Sequence, residues 1–346
     1  MPKDNEKMPL VDFDLIGPSE PQPFSADQMV RCDECLRANP PTRVSCLYCA
    51  AVLPVTEKTA GLQKPTLRRL ETWEPGYNII PSKPIESLSD ESLDEAAGLL
   101  KLSTEDLQRI AASRRPLPLA RAGSSDEAAL IIRRLDDLNL NAVVLPDDDL
   151  RLDEKDMVRI RSASFDEESF TGYTLAGGEG ITILLRDLTL LVRGRLLTRR
   201  VEVKERRSRR AEDDIVHSSE FFNDESVLDI YGPAYKPCLR IEAGSFDFSV
   251  LGERKALVTE ENLGRCVDLF RELAPEVEVD EAYASLRQTI EPVWHAAQRT
   301  EATGWHRERP GRYSTSGATE SSNENQFTRY SRLVYYLNRN GIRFAP

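Results

Sequence analysis

The sequence contains little histidine, few cysteines and no long apolar segment. Only 3 of its 346 residues are histidine and 6 are cysteine. No apolar run approaches the roughly 18–20 residues that a membrane-spanning helix needs. The opening segment 1–25 is acidic and contains proline, without the apolar stretch of a signal peptide. We therefore expect a cytoplasmic protein.

Positive charge is also in deficit. Lys and Arg number 46 against 58 Asp and Glu, which gives a formal net charge of −12. Binding to nucleic acid or to an anionic membrane requires positive potential, so this balance disfavours both unless a local basic patch overrides it. The length predicts two or three domains.

The sequence carries no recognisable catalytic signature. It has no Gly-x-Ser-x-Gly elbow, phosphate-binding glycine loop or dinucleotide fingerprint. His217 lies in a polar segment, His295 in a predicted helix, and His306 in a predicted disordered stretch. The acidic segment 147–154 has Leu152 where an EF-hand loop needs glycine, which predicts a solvated loop. We expect no enzymatic activity, with an enzyme of unrecognised type as an alternative.

Four cysteines form the most specific pattern in the chain. They make two Cys-x2-Cys pairs separated by ten residues: Cys32, Cys35, Cys46 and Cys49. Two such pairs can surround a tetrahedral metal, so the pattern predicts one structural zinc ion. Four thiolates leave no open coordination position, which excludes a catalytic zinc. Cys238 and Cys266 lie far apart in apolar surroundings and are expected to be buried, reduced thiols.

The segment around these cysteines, 29–54, resembles the zinc-ribbon modules of bacterial proteins. Two knuckles flank an Asn-Pro-Pro turn at 39–41, and Leu53 falls where a ribbon often packs an apolar residue. The spacing also resembles the Ran-binding-protein type of zinc finger, a family that includes binders of single-stranded RNA and of ubiquitin. Val30 stands where that finger has tryptophan. Leu36 and Ala50 stand where ribbons usually have glycine, because the knuckle backbone favours a positive φ, so we expect intact coordination with some backbone strain.

The rest of the chain predicts an α+β multidomain protein. Ser92 with Glu95 and Ser124 with Glu127 form capping boxes, and strand, helix and strand patterns between 117 and 145 predict a βαβ crossover. We predict a flexible tail at 1–28, the zinc ribbon at 29–54, a linker at 55–86, a helical hairpin at 87–115, a small α/β domain at 116–176, a β-meander domain with two helices at 177–298, a disordered loop at 299–325 and an amphipathic C-terminal helix at 326–346.

Two further resemblances rest on the rhythm of predicted elements. The βαβ unit is similar to small ferredoxin-like regulatory domains, which implies binding of peptides or small effectors, or dimerisation. The segment 181–207 resembles the opening strands of pleckstrin-homology-like domains, in which a basic hairpin can meet phospholipid. Neither resemblance rests on a sequence motif.

Basic residues are concentrated on the predicted meander. The candidate partner contacts are Arg193, Arg195, Arg199, Arg200, Lys204, Arg206 and Arg207. The alternative is a solvated strand face that pairs with the acidic run 212–214. We expect an adaptor or regulatory protein that contacts a protein partner through this face or through the ribbon. Binding of RNA by the ribbon and segment 193–210 is the alternative, which the net charge disfavours; the oligomeric state is not defined by the sequence.

Overall fold

A computed structural model describes residues 24–25, 28–43, 46–51, 53–54, 67–86, 88–150, 156–174, 180–208, 211–233, 236–304, 306–309 and 312–342, with backbone alone at 206–208, 211–217, 307–309 and 312. The chain forms two compact units, Met1–Pro65 and Thr66–Pro346. Most of the predicted tail 1–28 lies outside the described residues. Within the described residues, none of the helices is both long and apolar enough to cross a bilayer.

The first unit contains the cysteine module. Two short antiparallel strands, β1 (Val30–Arg31) and β2 (Ala38–Asn39), pair Val30 with Asn39. Val30, Leu53 and two of the cysteines form its buried cluster. Leu53 is fully buried, as the ribbon pattern predicts.

The second unit opens with a small sheet that is backed by helices. Serine side chains cap all three helices: Ser89 accepts the N–H of Ser92, Ser103 that of Asp106, and Ser124 that of Glu127. The first cap is therefore Ser89, and the expected box that begins at Ser92 is wrong. The elements are β3 (Tyr77–Pro81), α1 (Asp90–Leu100), α2 (Thr104–Ala112), β4 (Ala120–Ala122), α3 (Ser125–Asp137) and β5 (Ala142–Pro146).

The strand β3 changes the predicted crossover. The sheet order is β4-β3-β5, and β3 is antiparallel to both neighbours. The strands on either side of α3 are therefore parallel but not adjacent. The prediction of a linker over 55–86 missed β3, because its run Tyr77–Pro81 directly follows a Pro-Gly pair that predicts a turn.

A second small sheet follows. Its antiparallel strands lie in the order β7-β8-β9, whereas β6 joins the large sheet beside a later strand. Because β9 ends in this sheet, the predicted meander from 181 to 203 does not form as one unit. The bounds are β6 (Met157–Ile160), β7 (Ser162–Phe165), β8 (Ser169–Tyr173) and β9 (Ile181–Leu184).

The large sheet has eight strands and is built on two long ones. Its main order is β14-β16-β10-β11-β12-β6, with β13 on β10 and β15 on β16. The remaining elements are β10 (Leu190–Ser208), β11 (Ala211–Tyr231), β12 (Cys238–Glu242), α4 (Thr259–Leu273), β13 (Glu278–Asp280), α5 (Tyr283–Ile290), β14 (Ala297–Ala302), β15 (His306–Arg309), β16 (Arg312–Ser322) and α6 (Glu324–Arg339).

The glycine at 194 is not a turn. Glycine inside a strand pattern often marks a break, but β10 continues through the position. A Cβ at Gly194 would lie 2.3 Å from Cε2 of Phe327 in α6. The glycine lets the C-terminal helix approach the sheet, which is a contact over 133 positions that local patterns do not reveal.

The segment 299–325 also differs from its prediction. A disordered loop is expected from its polar composition, but it forms strands β15 and β16 and most of β14. β16 pairs with the outer half of β10 along eleven positions. Backbone hydrogen bonds therefore stabilise this strand, although its sequence lacks the apolar pattern that predicts one. Helix α5 ends at Ile290, just before Pro292, because proline cannot continue the backbone hydrogen bonding.

One buried cluster connects several predicted segments. It contains side chains from α1, α2, α3, β10, β11, α5 and α6. A second cluster packs α4 against β9, β11 and β12. The C-terminal helix contributes Phe327, Tyr330 and Leu333 to the first cluster, all at most 1% exposed.

Candidate metal centre

Each cysteine pair begins the same kind of tight turn. In the first, the N–H of Cys32 donates to the carbonyl of Arg37 at 3.0 Å, and the N–H of Leu36 donates back to Cys32 at 2.8 Å. In the second, Cys46 occupies the place of Cys32, with bonds of 2.7 and 3.0 Å at the same spacing. The two knuckles are therefore equivalent turns that each present two sulfur atoms.

The fifth residue of each knuckle has a left-handed backbone. The φ angles are 58° at Leu36 and 60° at Ala50. This confirms the positive φ expected from the ribbon resemblance, at positions where glycine would be unstrained.

The two knuckles bring the four sulfur atoms together. All four Sγ atoms lie within 4.8 Å of one another. The Sγ of Cys32 is 3.6 Å from that of Cys49, and the Sγ of Cys35 is 3.5 Å from that of Cys46. A tetrahedral zinc with Zn–S bonds of about 2.3 Å would have sulfur–sulfur edges of about 3.8 Å. The cysteines are free thiols, and this arrangement could hold a metal ion.

The ionisation of the sulfurs is uneven. Burial raises the pKa of Cys46, but the backbone N–H groups of Tyr48 and Cys49 and the Asn39 amide bring it down to about 6. The Ala51 N–H lowers the pKa of Cys49, whereas burial and the neighbouring cysteines raise it to about 12. Adjacent thiolates repel, so four of them in this space need a cation to stay ionised together.

The side chain of Asn39 forms hydrogen bonds to both knuckles. Its fully buried side chain donates from Nδ2 to Sγ of Cys46 at 3.4 Å and to the carbonyl of Arg37 at 3.0 Å. Its Oδ1 accepts the N–H of Leu47 at 2.8 Å. The sequence pattern assigns Asn39 only to the turn, and misses that its amide links the two knuckles.

Both knuckles expose apolar or aromatic side chains. Leu36 is 62% exposed, Leu47 is 53% exposed and Tyr48 is 55% exposed. The guanidinium of Arg37 lies 4.7 Å from the centre of the Tyr48 ring, which joins the two knuckles on the surface. We call these four residues the knuckle tip.

The candidate partner contacts on β10 are largely ion-paired. Arg195 pairs with Asp224 through two bonds of 2.9 Å, and Arg199 pairs with Glu220. The remaining pairs join Arg193 to Glu260 and Glu281, and Arg200 to Glu202 and Glu320.

Three members of this basic set remain: Lys204, Arg206 and Arg207. Lys204 has no ion pair among the described residues. The side chains of Arg206 and Arg207 lie outside the described ones, as do those of the acidic run 212–214. The backbone register places Arg206 opposite Asp214.

The acidic segment after β5 is not a solvated loop throughout. Asp147 is only 8% exposed and forms ion pairs of 2.5 Å with Arg121 and Arg329. Burial raises the pKa of Asp147, but the charges of Arg329 and Arg121 hold it below its usual range. Its partners are 26 and 182 positions away, so the local acidic pattern could not reveal them.

The other two cysteines are structural. Cys238 and Cys266 are each 1% exposed, and burial raises the pKa of both to about 12. This agrees with the predicted small core residues. Within the described residues, the four ribbon cysteines are the one group of three or more potential metal ligands whose ligand atoms converge.

Comparison with known proteins does not extend these observations. No protein-family model matches the chain, and no curated protein or solved structure matches it either.

Proposed function

We propose that this chain is a non-enzymatic adaptor or regulatory protein that binds a protein partner through the knuckle tip. One structural zinc ion, held by Cys32, Cys35, Cys46 and Cys49, would fix the conformation of the two turns that form the tip. The observation that carries the proposal is the exposure of Leu36, Leu47 and Tyr48 on a module of about 25 residues.

The chemistry of the module favours binding over catalysis. Four thiolates fill the coordination sphere of zinc, so the ion has no position for a substrate. Tyrosine and arginine are enriched at the centres of protein interfaces, and the two exposed leucines add apolar surface around them. The Arg37 guanidinium already covers one face of Tyr48, which orders that ring before a partner arrives.

The basic segment supports the proposal less well. Four of its arginines already pair with carboxylates of the same unit, so a partner would have to compete with those pairs. Exposed ion pairs are weak, about 0–1 kcal/mol each, so they reduce the net charge of the face without locking it. The segment remains the second candidate for the contact.

An affinity capture from the native host tests the proposal. The full chain is compared with a tip variant, Leu36→Ser/Leu47→Ser/Tyr48→Ser, and with a charge-reversed variant, Arg199→Glu/Arg200→Glu/Arg206→Glu/Arg207→Glu. All three should contain about one zinc per chain, because no ligand is changed. A protein that the wild type captures is then purified, and its Kd for the wild type and for each variant is measured directly.

The proposal predicts that the tip variant loses at least tenfold in affinity while the charge-reversed variant does not. Loss in the charge-reversed variant alone would assign the contact to β10. Salt-sensitive retention of RNA by the wild type, lost in the tip variant, would instead support the RNA alternative.

A further inference from the structure

A cleft in the second unit has a charge pattern that the proposed function does not use. It encloses about 410 Å³, within the range of small-molecule sites. Its walls come from the segment before β3, the α1–α2 connection, β4 and the turn after α5. The apolar part of the lining includes Leu67, Leu100, Leu102, Pro292 and Val293.

Two of the basic side chains in this cleft are already neutralised. Arg68 forms a two-bond pair with Glu74 at 2.6 and 2.8 Å. Arg121 is buried, pairs with Asp147, and donates to the carbonyls of Glu71 and Glu74. A ligand would have to compete with these pairs for either guanidinium.

Three basic groups remain available. Arg69 and Lys101 are exposed, line the cleft and have no ion pair among the described residues, and His295 lies beside them. The one acidic residue of the lining is Glu291. Its two carboxylate oxygens accept from the Ala296 N–H at 3.1 Å and from Nε2 of Gln326 at 2.7 Å. Among the described residues, the lining therefore has two cations without an ion pair, in a chain of net charge −12.

Lys101 occupies a backbone position that is unfavourable for lysine. It is the C-cap of α1, with φ 57° and ψ 35°, and its N–H bonds to the carbonyl of Ala97. Glycine is the usual residue in this left-handed conformation, because a Cβ crowds the backbone there. From this position Lys101 contributes to the lining of the cleft.

His295 is oriented by the same turn. Its Nδ1 lies 3.1 Å from the carbonyl oxygen of Glu291, which can only accept, so Nδ1 carries the proton. No hydrogen bond to Nε2 is found in the described part of the chain. Burial lowers the pKa of His295, the Glu291 carbonyl and charge raise it, and the charges of Arg69 and Arg121 lower it further. An anion beside these groups would stabilise the imidazolium and allow Nε2 to donate.

We propose that this cleft binds a small organic phosphate monoester, with Arg69, Lys101 and His295 around the phosphate and the apolar wall against its organic part. The two free cations match the double charge of the phosphate. A neutral His295 gains a proton at Nε2 as the ligand binds. The site is independent of the ribbon, and its ligand would act on the second unit.

Three probes separate the contribution of the phosphate from that of the organic part of the ligand. They are inorganic phosphate, n-butyl phosphate and butyrate. Titration of the full-length protein is followed by NMR of the three ¹³C-labelled histidines, with a His295→Gln variant to assign the signal. Butyl phosphate should bind most tightly and should raise the pKa of His295. The signals of His217 and His306 should not move.

Single substitutions then test the cations. Arg69→Gln and Lys101→Gln should each weaken the binding of butyl phosphate about tenfold, the effect of one charge-assisted hydrogen bond. Lys83→Gln, which removes an exposed lysine outside the cleft, should not. Lys101→Gly relieves the strained backbone, so it should stabilise the fold and still lose the ligand.

Other results overturn the inference. They are an unchanged His295 signal, equal shifts of all three histidines, or butyl phosphate affinity that survives both glutamine variants. Tighter binding of butyrate than of butyl phosphate would overturn the assignment of a phosphate.

Discussion

At the scale of single residues, the backbone at Leu36 and Ala50 bears on the stability of the candidate metal centre. Both have φ near 60°, where a side chain is strained and glycine is not. The two sites differ in what their side chains do, because Leu36 belongs to the knuckle tip and Ala50 does not.

We predict that Ala50→Gly and Leu36→Gly each make the zinc-loaded ribbon more stable. Relief of strain of about 1–2 kcal/mol exceeds the added chain entropy of glycine, about 0.5–1 kcal/mol, so a net gain of roughly 0.5–1 kcal/mol is expected. Competition with a chelator would measure the gain as a higher apparent zinc affinity. Ala51→Gly, at a position without positive φ, is the control and should lower it. Only Leu36→Gly should also weaken the binding of the proposed protein partner.

Asn39 gives a second prediction for single residues. Its amide donates to Cys46 and its oxygen accepts from Leu47, so it both favours the thiolate and fixes the second knuckle. Asn39→Ala should lower zinc affinity about 10–100-fold, the usual effect of removing a group that orients a ligand. Measurement is by the same competition. Asn340→Ala, near the C-terminus of α6, serves as control, and equal affinities for Asn39→Ala and wild type would contradict this role.

His295 makes stability depend on pH. Its folded-state pKa lies below 6.5, chiefly because of burial, so the unfolded chain takes up the proton first as pH falls. The free energy of unfolding should therefore decrease as pH falls from 6.5 toward the folded-state pKa. Chemical denaturation at pH 7.5 and 5.5, in phosphate-free buffer, would show a smaller decrease in His295→Gln than in the wild type. Parallel decreases would exclude this origin.

At the scale of elements, α6 packs on the large sheet of the second unit and contributes to its first buried cluster. Its buried residues contact the large sheet, and Ser331 donates to Asp229 at 2.7 Å. Asp229 in turn pairs with Arg240, and both side chains are at most 1% exposed. The register of β11 and β12 places these two residues directly opposite each other. Removing one partner of such a buried pair costs about 3–5 kcal/mol.

The close approach of α6 and β10 yields a prediction on packing. Gly194→Ala should destabilise the second unit by about 1–3 kcal/mol, because the new Cβ meets the Phe327 ring at 2.3 Å. Gly98→Ala is the matched control: the glycine is exposed in α1 with no atom within 4 Å of an added Cβ, so stability should rise by about 0.5–1 kcal/mol. Thermal unfolding measures both. Phe327→Leu should recover part of the loss in Gly194→Ala if the ring is its cause.

At the scale of the whole molecule, each compact unit has its own buried cluster. The ribbon cluster contains Val30, Leu53 and cysteines, whereas the two larger clusters contain only residues after Thr66. A module as small as the ribbon cannot bury enough apolar surface to fold alone, so its stability should come from the metal.

Cys46→Ser should therefore remove the zinc, from about one to near zero per chain, and abolish the zinc-dependent unfolding transition. The transition of the second unit should keep its Tm. Cys266→Ala should do the reverse, keeping the zinc and lowering the stability of the second unit by about 1 kcal/mol, since this thiol is buried. Metal analysis and calorimetry on the same samples provide the readout. Loss of both transitions in Cys46→Ser would contradict the expectation that the two units unfold independently.

Several features could be predicted from the sequence because they depend on neighbours along the chain. The convergence of four sulfur atoms follows from Cys-x2-Cys spacing, and the bounds Thr259–Leu273 of α4 follow from its apolar period and a proline after its end. The positive φ at Leu36 and Ala50 follows from knuckle geometry. The cleft of Arg69, Lys101 and His295 could not be predicted, because these residues come from three distant parts of the chain.

The sequence alone determined the cysteine tetrad, the serine-capped helices α2 and α3, and the acidic character of the chain. Only the tertiary structure decided that β3 lies between β4 and β5, that β16 extends the large sheet with a polar sequence, and that Asp147 is buried with Arg329. The physical reason is range. Caps and knuckles are closed by hydrogen bonds over three to five positions, whereas strand order and buried ion pairs depend on which distant surfaces exclude water together.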